Sequence, residues 1–235
     1  MFKIDIAGII INVENKYRFV ENVCKDFIVD SDTFDFSVSV TNDELENEKH
    51  INPPSLSNGF IESVCIYRSI AKELPRYNAF VFHSASIEYS GNAYCFAAHS
   101  GIGKTTHAMF WKQRFGDAVS YINGDKPVLR IIDGTPYVCG TPWGGKEDFK
   151  STRKAPLKAI CFLERAETNS ITSVSRHVAL IKLLPQLYFS DSPAQKDSTL
   201  SLLETVIENT EFWCLKCTPT IDAAEVCFNT IVTKE

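Results

Sequence analysis

A short segment near the middle of the chain has the residue types and spacing of a phosphate-binding loop. It runs from Ala98 to Thr105 and reads Ala-His-Ser-Gly-Ile-Gly-Lys-Thr. The glycines at 101 and 103 can adopt backbone angles that other residues avoid, so consecutive N–H groups can turn inward around a polyphosphate. Lys104 adds a positive charge for the β- and γ-phosphates, and the Thr105 hydroxyl can hold Mg²⁺. The segment predicts nucleotide binding.

The residues around this loop fit the prediction. The apolar run 92–98 is typical of a buried strand, and residues 105–112 have helical spacing without a breaker until Gly116. Strand, loop and helix is the order that the motif requires. Ala98 replaces the first glycine of the pattern GxxxxGK[ST], which costs little if the strand is extended there. The alternative is a glycine turn that binds no ligand. The residues expected to bind ATP are Ser100, Gly101, Ile102, Gly103, Lys104, Thr105 and Thr106.

Composition excludes several classes of partner. The 235 residues carry a net charge of −5, so nucleic acid is not expected as a ligand. No apolar run approaches the ~20 residues that span a bilayer. The eight cysteines are scattered, and Lys3 and Asp5 interrupt any secretory pattern at the N-terminus, which favours the cytoplasm. The lone pair Cys214 and Cys217 is interpreted as packing cysteines on a strand.

The chain is predicted to have two parts, a β-rich N-terminal region with one helix over residues 1–77 and a phosphate-loop core over 78–235. The helix is predicted at 59–74, before Pro75, as a packing element, and the polar residues 41–57 as an exposed connection. The strands are predicted at 2–6, 34–40, 80–82, 85–89, 92–98, 118–122, 128–132, 137–138, 159–163 and 212–215. Further helices are predicted at 178–187, 200–207 and 223–231, with a polar break at 190–198.

Asp125 is the leading acidic candidate for phosphoryl transfer, which needs a carboxylate for the metal or for the accepting hydroxyl. It follows the strand that comes directly after the helix of the phosphate loop. Both strand ends could therefore open at the same edge of the sheet, beside the phosphates. The alternative is a turn or capping aspartate before Pro127.

Several segments together resemble the HPr kinase and ATP-type phosphoenolpyruvate carboxykinase superfamily, and more narrowly its stand-alone HPr-kinase-like proteins. They are His83, the turn at Gly91, residues 100–107, Asn-Gly-Asp-Lys-Pro at 123–127 and Gly-Thr-Pro-Trp-Gly-Gly-Lys at 140–146. The resemblance is firm over about residues 78–165. It implies an α/β (α+β) fold whose phosphate-loop core has a mixed sheet.

The resemblance also implies an ATP-dependent kinase. In such an enzyme Lys104 and the backbone of 100–105 hold the triphosphate, and Thr105 with Asp125 holds Mg²⁺. His83 then lies close to the transferred phosphate. Lys146 contacts phosphate from the segment 140–146, which we call the glycine-rich loop. The alternatives are a polar hairpin residue for His83 and a solvated side chain for Lys146. Because relatives form hexamers, the resemblance also suggests a homo-oligomer.

The chain departs from the HPr kinases at one position of the motif. They carry two adjacent aspartates where this chain has Gly124 and Asp125, so one carboxylate would have to serve both the metal and the hydroxyl. Their arginine-containing signature and full N-terminal domain are also missing, which disfavours HPr as a substrate. The chain is about half as long as a carboxykinase needs.

Three functions are compatible with these observations. The first is a Mg-ATP kinase acting on a hydroxyl of a peptide or protein serine, or of a small hydroxylated metabolite. The second is a catalytically silent nucleotide-binding regulatory protein, which Gly124 motivates. The third is a peptide-recognition protein in which residues 1–77 bind the peptide.

Overall fold

The large sheet and its helices are built from local patterns that the sequence carries clearly. A computed structural model describes residues 1–233, and within them the chain forms twelve β-strands and seven α-helices. The strands are β1 Phe2–Ile6, β2 Ile9–Glu14, β3 Phe36–Ser39, β4 Ala79–Val81, β5 Ala85–Tyr89, β6 Asn92–Ala97, β7 Val119–Asn123, β8 Val128–Ile132, β9 Thr135–Cys139, β10 Lys154–Arg165, β11 Ser170–Ser173 and β12 Glu211–Cys217. The helices are α1 Arg18–Cys24, α2 Asn42–His50, α3 Asn58–Glu73, α4 Lys104–Phe115, α5 Arg176–Leu183, α6 Pro193–Asn209 and α7 Asp222–Ile231.

The strands form a small sheet, β1-β2-β3, and a large mixed sheet with the path β4-β8-β9-β10-β6-β5-β7. In the large sheet β12 also pairs with β10, and β11 pairs with β12. Strand β10 is parallel to both β6 and β12, whereas β5 is antiparallel to its neighbours β6 and β7. The predicted mixed α/β fold is therefore confirmed.

This topology gathers several chain segments at one edge of the sheet. Because β5 is antiparallel to both neighbours, β6 and β7 run in the same direction, as do β10 and β12. The carboxyl ends of these four strands, and the start of β5, thus lie at the same edge. The segments after Ala97 and Asn123, and the residues before Ala85, meet there.

Both faces of the large sheet are covered by helices, and the side chains of its strands are buried on each face in alternation. One face packs on α5 and α6 through residues such as Leu183 and Leu203, and the other packs on α4 and α7 around the fully buried Trp111. A third apolar cluster joins the small sheet and α3 to β4 and β8 through Val81 and Val128. No helix among residues 1–233 is both long enough and apolar enough to cross a membrane.

The prediction of a β-rich first part with one helix is wrong, because residues 1–77 contain three α-helices as well as three short strands. Helix α2 occupies much of the segment predicted to be an exposed connection. A capping box starts it: Glu44 N–H donates to Thr41 Oγ1 at 3.2 Å, and Thr41 N–H donates to a Glu44 carboxylate oxygen at 2.8 Å. These local hydrogen bonds, rather than an apolar stripe, set this helix.

The predicted polar break before residue 200 is also mostly helical. Helix α6 begins at Pro193, where proline at the first helical turn lacks only an N–H that would have had no helical partner. The fixed φ of proline favours the helix start at this position.

Candidate functional site

The loop between β6 and α4 has the backbone shape of an anion cradle. Gly101 and Gly103 have φ values of +80° and +118°, which side chains other than glycine rarely allow. Ala98 is not among the residues with positive φ, so alanine fits where the motif has its first glycine. The N-terminus of α4 follows directly, and its free N–H groups and dipole favour a bound anion.

Lys104, the lysine of this loop, is buried. Its side chain is only 8% exposed, and Nζ donates to the Ala98 carbonyl at 3.2 Å. Burial lowers the pKa of Lys104, and the nearby charge of Asp125 acts in the opposite direction. The ammonium is therefore held under the loop by a neutral carbonyl, with Asp125 as the nearby negative charge.

Thr105 connects the loop to the end of β7. Its hydroxyl donates to the Gly124 carbonyl at 3.4 Å. This contact brings the start of α4 against the segment 123–127, as the shared sheet edge predicts. Thr106 instead lines a pocket beside the loop.

Asn123, the last residue of β7, holds the next two residues in a tight turn. Its buried Oδ1 accepts from the backbone N–H groups of Asp125 at 2.9 Å and Lys126 at 2.7 Å. Its Nδ2 donates to the carbonyl of Thr141 at 3.0 Å. An Asx turn of this kind fixes the direction of the backbone, so Asn123 positions Asp125. From the sequence alone this asparagine is recognisable only as part of a turn.

Asp125 lies in a network of polar contacts with two neighbours. Its Oδ1 is 3.0 Å from His83 Nε2, and its Oδ2 is 2.7 Å from Lys126 Nζ. Burial alone would raise the pKa of Asp125, but the hydrogen bond from His83 and the charge of Lys126 outweigh it and lower the pKa to about 2. Asp125 is therefore an anion throughout the neutral pH range.

His83 reaches this network from the residues just before β5. The backbone N–H of His83 donates to the Gln186 carbonyl at 2.8 Å, and the backbone N–H of the preceding Phe82 donates to the Pro127 carbonyl at 3.0 Å. These two bonds fix the segment between the Asp125 turn and the end of the 3₁₀ turn at 184–186. The part played by Gln186 has no local signal in the sequence.

Lys146 is exposed in the glycine-rich loop and lines the same cleft as Asp125. Among residues 1–233 it forms no ion pair. The structure thus groups Asp125, His83 and Lys126 in direct contact and leaves Lys146 free in the adjacent cleft.

Two pockets flank this edge of the sheet. A pocket of about 500 Å³ lies beside the phosphate loop and is lined by Gly101, Ile102, Gly103, Thr106, Arg165 and Pro219, among others. Arg165 ends β10 and donates from Nη2 to the Gly101 carbonyl at 2.5 Å. This arginine is not among the residues that the sequence predicts for the site, although it ends a buried parallel strand, where such residues are commonly found. The second pocket, about 790 Å³, opens onto Asp125 and Lys126.

Two oxygen donors at this edge of the sheet, the Asp125 carboxylate and the Thr105 hydroxyl, are of the kind that Mg²⁺ prefers. No cluster of three or more His, Cys, Asp or Glu side chains in the described part of the chain could hold a metal. Mg²⁺ is commonly bound through one or two carboxylates together with substrate phosphates. Asp125 and the Thr105 hydroxyl therefore fit Mg²⁺ that arrives with a polyphosphate.

Comparisons with known proteins find matches among solved structures, and the one described here is distant. No protein-family profile matches the sequence, and no curated protein matches it either. Among solved structures, the Hpr(Ser) kinase/phosphatase from Coxiella burnetii matches with 8% identity and a TM-score of 0.32, over 53% of this chain and 93% of that chain. A likeness this distant says nothing about activity, because function is a property of sites rather than of folds.

Gly124 has a structural reason that the sequence alone does not reveal. A Cβ at this position would lie 2.4 Å from the Gly144 carbonyl oxygen and 3.2 Å from Phe149 Cβ. The glycine-rich loop therefore fills the space that a second side chain would need. A second carboxylate beside Asp125 cannot be accommodated in this arrangement.

Gly124→Ala is expected to lower the free energy of unfolding by about 1–3 kcal/mol, the usual cost of overpacking. It should also displace the turn that carries Asp125. Urea unfolding and a phosphate-transfer assay measure the two effects. Ser201→Ala is the control, because Ser201 is exposed on α6, which packs on another part of the large sheet. Unchanged stability of Gly124→Ala would contradict the close approach of the two loops.

Asn123→Ala is expected to leave two backbone N–H groups without their acceptor and to cost about 1–3 kcal/mol of stability. The turn would loosen, so the transfer rate should fall by more than the loss of folded protein explains. The comparison is made in conditions where both proteins remain folded. Asn209→Ala, which removes an exposed asparagine at the end of α6, is the matched control. A transfer rate equal to that of the wild type would show that Asn123 does not position Asp125.

Proposed function

We propose that the protein transfers the γ-phosphate of Mg-ATP to a hydroxyl group. The observation that carries this proposal is the meeting, at one sheet edge, of an anion cradle and a carboxylate. The Thr105 hydroxyl at the end of the cradle contacts Gly124, which is bonded to Asp125. Phosphoryl transfer depends mainly on positioning and charge stabilisation, and these groups supply both.

The donor half of the site uses the loop 100–105. Its backbone N–H groups and the N-terminus of α4 would hold the triphosphate, and Lys104 would exchange its bond to the Ala98 carbonyl for phosphate oxygens. Mg²⁺, held by Thr105 and Asp125, would neutralise the charge that develops on the phosphates. The pocket beside Arg165 has a volume within the range that ligands occupy and would take the rest of the nucleotide.

The acceptor half centres on Asp125. A carboxylate with a pKa of about 2 is a weak base, so its role is to orient the attacking hydroxyl by accepting its hydrogen bond. A loose transition state makes this sufficient, because the hydroxyl needs little activation before it attacks. Its oxygen bonds to the γ-phosphorus as the bond to ADP breaks, and its proton leaves late in the step, through Asp125 to solvent. His83 orients the carboxylate from the side of the transferred phosphate, and Lys146 adds positive charge from the glycine-rich loop.

A catalytically silent nucleotide-binding regulator is the second candidate. Gly124 favours it, since the glycine-rich loop leaves no room for another carboxylate. The engagement of both Asp125 oxygens by His83 and Lys126 favours it as well. In that case Mg-ATP would bind without any conversion to ADP.

The proposal is tested by incubating the protein with γ-labelled ATP, Mg²⁺ and three kinds of acceptor: serine-containing peptides, free serine and a small polyol. The expected result is labelled acceptor in proportion to ADP, and its loss when Mg²⁺ is withheld. Nucleotide binding without ADP, for every acceptor tried, would favour the silent regulator. ADP formation that does not need Mg²⁺ would contradict the assigned site.

A further inference from the structure

The cleft that opens onto Asp125 is larger than the pocket beside the phosphate loop and is built differently. Its volume is about 790 Å³, and it lies between two helices of the first 77 residues and the glycine-rich loop. We call it the acceptor cleft. The two pockets share no lining residue, so an occupant of one leaves the other accessible.

The helical wall of the acceptor cleft comes from one face of each helix. Phe19, Asn22 and Val23 line it from α1, with helical spacing. Helix α3 contributes residues at the same spacing: Phe60, Ser63, Val64, Tyr67 and Arg68. Residues three and four apart lie on the same side of a helix. Helix α3, interpreted from the sequence as a packing element, therefore presents a face to this cleft as well as to the core.

The opposite wall is fixed to α3 by contacts of Trp143. Its Nε1 donates to Ser63 Oγ at 3.0 Å, and its ring lies 5.3 Å from the ring of Tyr67. At the mouth, Phe19 and Phe60 remain 39% and 38% exposed, with their rings 6.2 Å apart. Aromatic rings exposed at a cleft mouth are typical anchors for an apolar group of a partner.

The charge of the cleft is opposite to that of the whole protein. Five cations line it, namely Lys25, Arg68, Lys126, Lys146 and Lys150, against two carboxylates, Asp125 and Asp148. Three of the cations are already paired: Lys126 with Asp125, Lys150 with Asp148 and Arg68 with Glu48. Lys25 and Lys146 form no ion pair with any residue of the described part. A protein with a net charge of −5 thus keeps unpaired positive charge here.

We infer that the hydroxyl acceptor is a peptide segment that carries acidic side chains and an aromatic side chain close to the hydroxyl. This inference rests on the proposed function, because it names the acceptor of that reaction. The unpaired lysines would pair with the acidic groups, and the phenylalanines at the mouth would pack on the aromatic group. Such an occupant places its hydroxyl at Asp125, on the floor of the same cleft. A free amino acid or small polyol would leave the aromatic mouth uncovered.

The inference is tested by fluorescence anisotropy without nucleotide, so that binding is separated from phosphate transfer. Three labelled peptides contain one serine each. In the first the serine is flanked by glutamates and phenylalanine, in the second lysines replace the glutamates, and in the third alanine replaces the phenylalanine. The first peptide is expected to bind at least about tenfold more tightly than the second, because like charges across an interface are repulsive.

Variants locate the binding in the cleft. Lys25→Glu and Phe60→Ala are each expected to weaken the first peptide about tenfold. Both side chains are at least partly exposed, so the fold should be retained, and Mg-ATP affinity should not change. Lys196→Glu, an exposed lysine of α6 outside the cleft, is the control for net charge.

Equal binding of the glutamate and lysine peptides, or normal binding by Lys25→Glu, would overturn the inference. A single-stranded oligonucleotide that displaces the peptide and binds more tightly would overturn it too, in favour of a nucleic-acid groove. Failure of the proposed function has a different signature, in which the first peptide binds as expected but never receives label from ATP. Label transferred equally to the glutamate and lysine peptides would contradict the acceptor cleft alone.

Discussion

Asp125→Asn is expected to reduce the rate of phosphate transfer by roughly 10²–10⁴-fold, the range for loss of a positioned acid–base group. The asparagine keeps the shape of the side chain and can still accept from His83 through its amide oxygen. It loses the negative charge that orients the hydroxyl and pairs with Lys126. The rate is measured at saturating Mg-ATP, so that any weaker metal binding does not enter the comparison.

The matched control for this variant is Asp148→Asn. Asp148 is a second carboxylate of the same cleft and is likewise paired with a lysine, Lys150, at 3.0 Å. Its amide variant is expected to transfer phosphate at nearly the wild-type rate. A similar loss in both variants would attribute the effect to the overall charge of the cleft. Normal transfer by Asp125→Asn would remove this residue from the mechanism.

Lys104→Ala is expected to weaken ATP binding by roughly 10- to 100-fold, which corresponds to one charge-assisted hydrogen bond lost. The free energy of unfolding of the free protein should change little. The variant loses the contact between Lys104 and the Ala98 carbonyl, but it also removes a positive charge that burial disfavours, as the lowered pKa of Lys104 indicates. Calorimetric titration with Mg-ATP measures the affinity, and urea unfolding measures the stability.

Lys112→Ala is the control for Lys104→Ala, since it removes a lysine from the last turn of the same helix. Lys112 pairs with Asp117 at 3.2 Å and lies two turns from the loop. ATP affinity should be unaffected by its removal. Wild-type affinity in Lys104→Ala would show that the nucleotide does not bind at this loop.

The parts of the fold that depend on local sequence could be predicted, and the parts that depend on distant contacts could not. The strand, loop and helix around Lys104 follow from neighbouring residues, as does the turn before Pro127. The sequence could also suggest a common edge for Asp125 and the loop, because successive parallel strands open on the same side. By contrast, His83 is fixed by a bond to Gln186, more than one hundred positions along the chain.

The acceptor cleft could not be predicted from the sequence for a related reason. The apolar residues of α3 indicate a helix that packs on a core, and the structure does bury one side of it. The other side becomes part of a cleft only because the glycine-rich loop returns to it through Trp143 and Ser63. Gly124 shows the same dependence on distant contacts. The glycine itself can be seen in the sequence, but the Gly144 carbonyl that excludes a larger residue there is apparent only in the folded structure.

The most direct test of phosphate transfer is a ³¹P NMR time course of the protein with Mg-ATP and a serine-containing acceptor. We expect ADP and a phosphomonoester signal to grow together in equal amounts. Both signals should be lost in the Asp125→Asn variant. A spectrum in which ATP binds but stays intact, or in which ADP appears only with inorganic phosphate, would contradict the proposed function.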